Sequence, residues 1–414
     1  MREEILLNID SPQQLEKLYW TNKPSFKVAF NALYPQLENN PLAEGWYQRL
    51  NYRYEEPFWG NAQERVVVLV ASLLAALVAQ LPAMLSLDKE FFYLRNAGFI
   101  VFPLLIAYFG WKNKISAKTG VWLAVLILLA TAFINLLPQR SSSNTLLLSC
   151  IHLPLWLWSL LGFTFDGGKW RGGVNWLGFL RYNGELAVVI ALLLLSGGLM
   201  TGLTLGLFEL SGWHIETFYF NYVVVCGLAA VPIVATFLTQ VQPALVNKVS
   251  PVIANLFSPV ALVMLIVYLA ATVFSGKDPY HDREFLLLYN ALLIGVMALI
   301  FFSVSGTTPV NRNSTQILIL FLLSLVTIVV NGIALSAVLF RIAEWGITPN
   351  RAAVLGANVL MLSHLLYVGV RLFGAITRKT DLSLVGTSMA FFLPVYSGWS
   401  ALVTFVFPLL FGFK

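Results

Sequence analysis

The stretch from Gln316 to Phe340 reads QILILFLLSLVTIVVNGIALSAVLF and contains no charged residue. A helix needs about 20 mostly apolar residues to cross the hydrocarbon core of a bilayer. Runs of this kind recur along the chain, whereas the strands of a membrane barrel alternate polar and apolar residues over about 10 positions. The sequence therefore predicts an all-α protein, a polytopic bundle of transmembrane helices.

The composition points the same way. Of the 414 residues, 58% are hydrophobic and 11% are charged, compared with about 45–50% and about 25% in soluble domains. A soluble protein could not cover such an excess with polar surface, but a lipid bilayer can. The net charge of +6 comes from Lys and Arg residues in short loops. Because no basic stripe with interleaved aromatics is present, nucleic-acid binding is excluded.

We predict a transmembrane helical domain over residues 63–414 with about 11 spans, each of roughly 17–25 mostly apolar residues. The second span is the shortest, and a Gly-rich amphipathic connector at 166–182 precedes the fifth. The predicted spans are 66–87, 97–111, 120–137, 145–165, 186–210, 218–239, 252–274, 285–304, 316–340, 352–373 and 384–411.

Residues 1–62 are predicted to form a small soluble segment of three short amphipathic helices. Ser11-Pro12 and Asn40-Pro41 each provide an N-cap followed by a proline at the first helical position. Pro24-Ser25 interrupts between them, before apolar residues that recur at helical spacing. We expect this segment to be cytoplasmic and a candidate docking site for a cytoplasmic protein partner.

Orientation follows from the distribution of basic residues. The N-terminal segment and the alternate loops on its side carry 18 Lys and Arg residues, and the opposite side carries 8. The positive-inside rule then puts the N-terminus in the cytoplasm and, with an odd number of spans, the C-terminus outside.

Three glycines four residues apart, Gly198, Gly202 and Gly206, lie on one face of the fifth span. Such a ladder favours close packing against a neighbouring helix. The alternative is a hinge or a broken helix at Ser196-Gly197-Gly198, of the kind that lines transporter sites.

Polar residues at membrane depth form a second candidate site. In the ninth span Ser324, Thr327 and Asn331 share one helical face; in the tenth, His364, Tyr367 and Arg371 do. Polar groups at this depth need partners or water. We predict that Asn331 and His364 face the bundle interior and help to line a polar path. Hydrogen bonding between helices is the alternative.

The connection between these two spans, Arg341 to Arg351, reads RIAEWGITPNR. Gly346 suits a helix C-cap, and Thr348-Pro349 suits the start of the next helix. We predict an ordered helix–turn–helix in which Glu344 pairs with Arg341 or Arg351.

The ionisable residues predicted for the outer face provide a weaker candidate. His152, His214, Glu216, Asp278, His281, Asp282 and Glu284 could in principle bind Zn²⁺ or act as acid and base. Their spacing fits no fixed motif, so solvated loop charge is the better interpretation. We predict no catalytic residue, no metal site and no cofactor.

Two stretches resemble a known family. The Arg341–Arg351 sequence and the N-terminal SPQQLEKLY of residues 11–19 are similar to a bacterial polytopic membrane family known as domain of unknown function 4153. The resemblance implies a bacterial cytoplasmic (inner) membrane protein. It brings no substrate, reaction or catalytic residue.

Three functional classes follow from these features. The first is a transporter or permease for a small or lipidic solute, with a path along the ninth and tenth spans. The second is a non-transporting scaffold or accessory subunit, whose N-terminal helices bind a cytoplasmic partner. The third is a membrane-embedded enzyme at the outer face. A buried polar interior favours the first, an exposed apolar surface on the N-terminal helices the second, and clustered outer His and carboxylates the third.

Overall fold

A computed structural model describes residues 1–37, 40–51, 60–138, 143–169, 173–211, 213–241, 249–274, 280, 283–305, 314–377 and 382–413. Its regular elements are helices, and the described residues include no strand. The chain divides into two compact units, Met1–Trp59 and Gly60–Lys414.

The first unit contains four helices where the sequence predicts three. They are α1 (Arg2–Leu7), α2 (Pro12–Thr21), α3 (Lys23–Leu33) and α4 (Pro41–Asn51), with a 3₁₀ turn at Tyr34–Gln36. The extra one, α1, is a short helix that buries Ile5 in the core of this unit.

Side-chain caps fix the starts of α3 and α4. The side-chain oxygen of Asn22 accepts a hydrogen bond from the backbone N–H of Ser25, and that of Asn40 accepts from Leu42 and Ala43. Ser11 precedes α2 but makes no such side-chain bond. The predicted Asn40 cap is therefore present, and Asn22 starts the helix that the sequence placed after Pro24-Ser25.

A small aromatic core holds the four helices together. Phe26, Phe30 and Trp46 are buried against one another, with ring centroids 5.3–6.4 Å apart. On the surface, Arg49 donates to both carboxylate oxygens of Glu16 at 2.6 and 3.0 Å. These bonds from Arg49, together with one from the indole of Trp20, hold the pKa of Glu16 below its ordinary value.

The second unit contains the predicted bundle. Nine helical segments in its described part are long and apolar enough to cross a membrane, and two further helices contain the shorter apolar stretches Leu256–Ala270 and Leu292–Phe301. Ten of the eleven predicted spans therefore each coincide with one helix, and the eleventh coincides with two consecutive helices, α15 and α16. These helices are α5 (Ala62–Met84), α6 (Lys89–Lys112), α7 (Ala117–Leu136), α8 (Asn144–Phe165), α9 (Gly173–Leu210), α10 (Glu216–Val241), α11 (Val249–Phe274), α12 (Arg283–Ser305), α13 (Ser314–Trp345), α14 (Pro349–Ile376), α15 (Leu382–Phe391) and α16 (Leu393–Ala401).

Two predicted helix starts were wrong. Helix α6 begins at Lys89 rather than residue 97, because its N-terminal part carries polar residues that are buried with partners. Helix α9 runs unbroken through most of the predicted connector.

The last span is broken. It divides at Phe392 between α15 and α16, and continues through a π-helical segment, Leu402–Val406, to a final turn, Phe407–Leu410. Pro394 explains the division, because proline has no N–H to donate to the carbonyl four residues earlier.

Packing in the second unit joins both consecutive helices and helices distant in the sequence. Helix α5 packs on α6 and α10, α6 on α8, and α13 on α14, while α9 contacts α10, α12 and α15. Helices α11 and α12 pack on α13, and α14 also contacts α8, α15 and α16. The hairpin of α13 and α14 therefore lies among several other helices, which bury its polar faces.

Candidate functional site

The turn between α13 and α14 is ordered by caps at both of its ends. Gly346 takes a φ of +74°, a conformation that glycine adopts without strain. The hydroxyl of Thr348 accepts from the backbone N–H of Arg351, which starts α14. The guanidinium of Arg351 donates to the carbonyls of Trp345 and Gly346 at 3.0 and 2.7 Å. These carbonyls belong to the end of α13, so Arg351 closes the turn from the opposite helix.

The predicted pairing of Glu344 was wrong. Among the described residues Glu344 has no ion pair and is exposed. Arg341 instead donates to the backbone carbonyl of Tyr280 at 2.8 Å, and the guanidiniums of Arg341 and Arg351 lie over the Trp345 ring at 5.8 and 5.6 Å. An exposed ion pair contributes only about 0–1 kcal/mol, so little stability is lost when Glu344 stays solvated and the arginines bond to backbone carbonyls.

A contact at Gly369 shows which faces of α13 and α14 meet. A Cβ placed on Gly369 would lie 3.6 Å from the hydroxyl oxygen of Ser324. Ser324 and Thr327 are fully buried, and their hydroxyls donate to carbonyls of their own helix at 2.7 and 2.6 Å. The Ser324 face of α13 and the Gly369 face of α14 therefore meet.

Asn331 and Asn358 lie on these two facing surfaces. Asn331 is seven residues after Ser324, or two helical turns, and Asn358 is eleven residues before Gly369, or three turns. Counting from the Ser324–Gly369 contact, the two amides differ in depth by about four residues, or about 6 Å. Both side chains are 0% exposed.

Neither amide has a hydrogen-bond partner among the described residues. This holds for the side-chain nitrogen and the side-chain oxygen of both Asn331 and Asn358. An unsatisfied buried polar group costs about 1–3 kcal/mol, so two whole carboxamides without partners are exceptional. The sequence analysis missed Asn358. Its signal was present, because Asn358 and Gly369 are eleven residues apart and share a helical face.

His364 is fully buried, but on a different side of α14. It stacks on Phe392 with centroids 4.3 Å apart and an interplanar angle of 4°, and Phe301 lies 5.0 Å away. A hydrogen bond of 3.2 Å joins its Nδ1 to the hydroxyl of Tyr396, while its Nε2 has no partner within the described chain. Phe392 is the residue at which the last span breaks. His364 therefore contacts the broken last span, whereas Gly369, on a different side of α14, marks the face that meets the Ser324 face of α13.

Tyr367 and Arg371 lie at the edge of this interior. Tyr367 is 37% exposed, and Arg371 donates to its hydroxyl at 3.2 Å. The Tyr367 ring centroid lies 6.1 Å from that of Phe392, which stacks on His364. The two residues therefore share the His364 side of α14, as the sequence predicts, but are partly exposed.

The glycine ladder does not pack as predicted. A Cβ added at Gly198, Gly202 or Gly206 would meet nothing within 4 Å in the described structure. A shallow groove along this helix surface is lined by Gly202, Leu203, Gly206, Leu207, Glu209 and Leu210. The close approach that small residues permit occurs instead on α14, where the Trp399 ring fills the space beside Gly356.

Other polar side chains in the interior of the bundle do have hydrogen-bond partners. The amides of Asn96 on α6 and Asn135 on α7 bond each other reciprocally at 3.0 and 2.8 Å. The carboxylate of Glu64 accepts from the Tyr108 hydroxyl at 2.7 Å and pairs with Lys112 at 3.0 Å. Asn331 and Asn358 therefore contrast with an otherwise similar asparagine pair in the same protein.

Arg95 is a further buried polar residue near these helices. Its guanidinium donates to the carbonyls of Ile134 and Leu137 at 2.5 and 3.0 Å, at the C-terminal end of α7. Such bonds satisfy carbonyls that lack a helical partner, so Arg95 acts as a cap.

The outer ionisable residues do not assemble into a site in the described part of the chain. His214 and Glu216 lie 3.8 Å apart and are exposed, and His152 bonds the carbonyl of Leu148 in its own helix. Asp278, His281 and Asp282 lie outside the described residues, as does the side chain of Glu284. Within the described residues, no three metal-binding side chains lie together.

Comparison with known proteins adds no assignment to this geometry. No family model, curated protein or solved structure matches the chain. The resemblance to domain of unknown function 4153 therefore stays a prediction, and the chain is identified by its architecture alone, as a multi-pass α-helical membrane protein.

Proposed function

We propose that this protein conducts a small solute across the membrane, through a polar interior formed by α13 and α14. The observation that carries the proposal is the pair of fully buried carboxamides, Asn331 and Asn358, without partners among the described residues. Membrane proteins satisfy polar groups at this depth with each other, with water or with a ligand. Because neither amide bonds to the other or to any described neighbour, we take water or a solute as the partner.

The break in the last span supports the same proposal. Transporters commonly place their sites where a membrane helix is interrupted, because the interruption frees backbone groups. Here the ring of Phe392, the residue at the interruption, stacks directly on the imidazole of His364. The π-helical segment at Leu402–Val406 follows one short helix later, and π-helical turns often occur at functional sites.

Accessibility to a membrane-impermeant thiol reagent tests the proposal. With Cys150 and Cys226 replaced, single cysteines are introduced at Asn331 and Asn358. Ala334 is the matched control, since it is fully buried on the same helix one turn away. We expect labelling at positions 331 and 358 and none at 334.

An exposed turn position provides the positive control. Ile347, which is 62% exposed, should react when replaced by cysteine. If it reacts while positions 331 and 358 stay unlabelled in folded protein, the interior is dry and the proposal fails.

The proposal places the protein in the bacterial cytoplasmic membrane with its N-terminus in the cytoplasm. The excess of Lys and Arg on the N-terminal side and the family resemblance support this. Alkaline phosphatase fused after Lys414 should then be active, because eleven spans put that end outside. An inactive phosphatase beside an active cytoplasmic reporter would contradict the orientation or the odd count.

A second candidate, a scaffold that binds a cytoplasmic partner, is favoured by the surface of the N-terminal unit. Leu7, Trp20 and Val28 are 84%, 62% and 70% exposed. Large apolar side chains of this kind often mark protein interfaces. A photo-crosslinking residue at position 20 should give one discrete adduct in cells. The absence of an adduct from well-expressed protein would count against the scaffold.

A further inference from the structure

We infer that the α13–α14 interface takes a small, neutral, hydrogen-bonding solute, such as a polyol or an amide, and rejects ions. This inference rests on the proposed function and names its substrate class. It follows from the chemistry of the two buried amides, the charge of the surrounding helices and the spacing of the facing groups.

The unpartnered atoms include equal numbers of amide donors and amide acceptors. Each of Asn331 and Asn358 offers an NH₂ group and a carbonyl oxygen, and all four have no partner in the described structure. A ligand that satisfies both amides must therefore both donate and accept hydrogen bonds. Hydroxyl and amide compounds do so, whereas a bare ion cannot.

The helices around the interface carry almost no charge. No Asp, Glu, Lys or Arg occurs in α11, α15 or α16, and those of α12, α13 and α14 lie near the helix ends, at Arg283, Glu284, Arg341, Glu344, Arg351 and Arg371. An anion or cation beside Asn331 would meet no opposite charge at its depth. Burying an unpaired charge is far more costly than burying a hydrogen-bonded neutral group.

Coordination of a cation by neutral oxygens does not fit the pair either. Ca²⁺ takes six to eight oxygen ligands, and K⁺ selectivity filters use rings of carbonyls. The unpartnered set contains only the side-chain oxygens of Asn331 and Asn358, and each is accompanied by an NH₂ group whose hydrogens repel a cation. The backbone carbonyls of α13 and α14 are engaged in their own helices.

The spacing of the two amides suits a small molecule rather than a lipid. The amides differ in depth by about 6 Å along the helix axes, counted from the Ser324–Gly369 contact, and a hydrogen bond spans about 2.9 Å. A small solute with polar groups along its length can bond to both amides, whereas a lipid chain has no groups with which to satisfy them.

Osmotic swelling of proteoliposomes tests the substrate class. Full-length protein is reconstituted into vesicles. The vesicles shrink when they are mixed with hyperosmotic glycerol or urea, and light scattering follows their re-swelling as the solute enters. Re-swelling should be faster than in protein-free vesicles, and Asn331→Leu should slow the protein-dependent part about fivefold, the change that ~1 kcal/mol of lost hydrogen bonding produces. Val329→Leu, at a position 51% exposed on the same helix, should leave the rate unchanged. Potassium and chloride fluxes should equal those of protein-free vesicles.

The outcomes separate this inference from the function it rests on. Protein-dependent potassium or chloride flux that Asn331→Leu abolishes would overturn the neutral class while keeping the path. Labelled cysteines at positions 331 and 358 without glycerol or urea entry would also overturn the class alone. Absence of both labelling and solute entry would overturn the path itself. If Asn331→Leu does not fold, Asn358→Leu provides the same comparison from the facing helix.

Discussion

Replacing Asn331 by leucine should make the protein more stable, which is the reverse of the usual result for a buried asparagine. Leucine has nearly the same branched shape, so it can occupy the same space between α13 and α14. The change removes a carboxamide that has no partner among the described residues. In detergent without solute, water is the partner that remains for this amide, and it offsets part of the about 1–3 kcal/mol that an unsatisfied buried group costs. Stability should rise by the part that water does not offset.

A matched asparagine in the same bundle should show the opposite sign. Asn96→Leu removes both hydrogen bonds between the Asn96 and Asn135 amides, so the side-chain oxygen of Asn135 loses its donor and its NH₂ group loses an acceptor. Hydrogen bonds between membrane helices contribute about 0.6–1.7 kcal/mol, and the abandoned partner adds to the loss. We therefore expect Asn96→Leu to destabilise the protein by about 1–3 kcal/mol.

Thermal unfolding in detergent, followed by far-UV circular dichroism, measures both variants. The account predicts a higher midpoint than wild type for Asn331→Leu and a lower midpoint for Asn96→Leu. If both variants lose stability to a similar extent, Asn331 bonds a neighbouring helix as Asn96 does. The reasoning from unpartnered amides would then be refuted.

Three further predictions concern other parts of the chain. Gly356→Ala should lower the unfolding midpoint, at a cost of about 1–3 kcal/mol, because an indole ring of the last span occupies the space that the new methyl group needs. Gly202→Ala should leave the midpoint unchanged, because the space around Gly202 is open among the described residues. Equal losses in the two variants would contradict the packing described. Arg351→Met should destabilise the hairpin by about 1–2 kcal/mol through two lost charge-assisted hydrogen bonds, whereas Glu344→Gln should have no measurable effect; a clear effect of the latter would show that the carboxylate has a partner. The pKa of Glu16 is lowered in the folded protein, so its ionised form stabilises the fold above the ordinary glutamate pKa, and this stabilisation is lost as the pH falls through the lower, folded-state value. In Glu16→Gln, the stability of the N-terminal unit should no longer show this dependence on acid pH. A curve of stability against pH that is the same in both proteins would disprove the pairing.

Much of the architecture could be predicted from hydropathy and length. All eleven predicted spans coincide with helices, because a bilayer imposes one long apolar helix for each crossing. The early start of α6 could not be predicted in this way. Arg95 and Asn96 lower the hydropathy of the first part of α6. They are nevertheless buried, because Arg95 donates hydrogen bonds to carbonyls of α7 and Asn96 bonds to an amide of α7. Hydropathy describes a residue's affinity for lipid and not the partners that the folded chain provides.

The candidate site was only partly predictable for a related reason. Asn331 and His364 were found because polar residues at membrane depth are rare, and both are fully buried. Periodicity could not show that His364 contacts the broken last span, or that the face of α14 that meets the Ser324 face of α13 carries Asn358. The same ambiguity affected the glycine ladder, since a small-residue face fits a helix or lipid equally well by pattern. Which face meets which neighbour depends on the tertiary packing.

A cryo-electron microscopy map that resolves ordered water tests the central claim most directly. The account predicts discrete density between the side-chain amides of Asn331 and Asn358, within hydrogen-bonding distance of both, from a water molecule or a small solute. A direct hydrogen bond between the two amides, with apolar side chains closing the space around them and no density between, would contradict it.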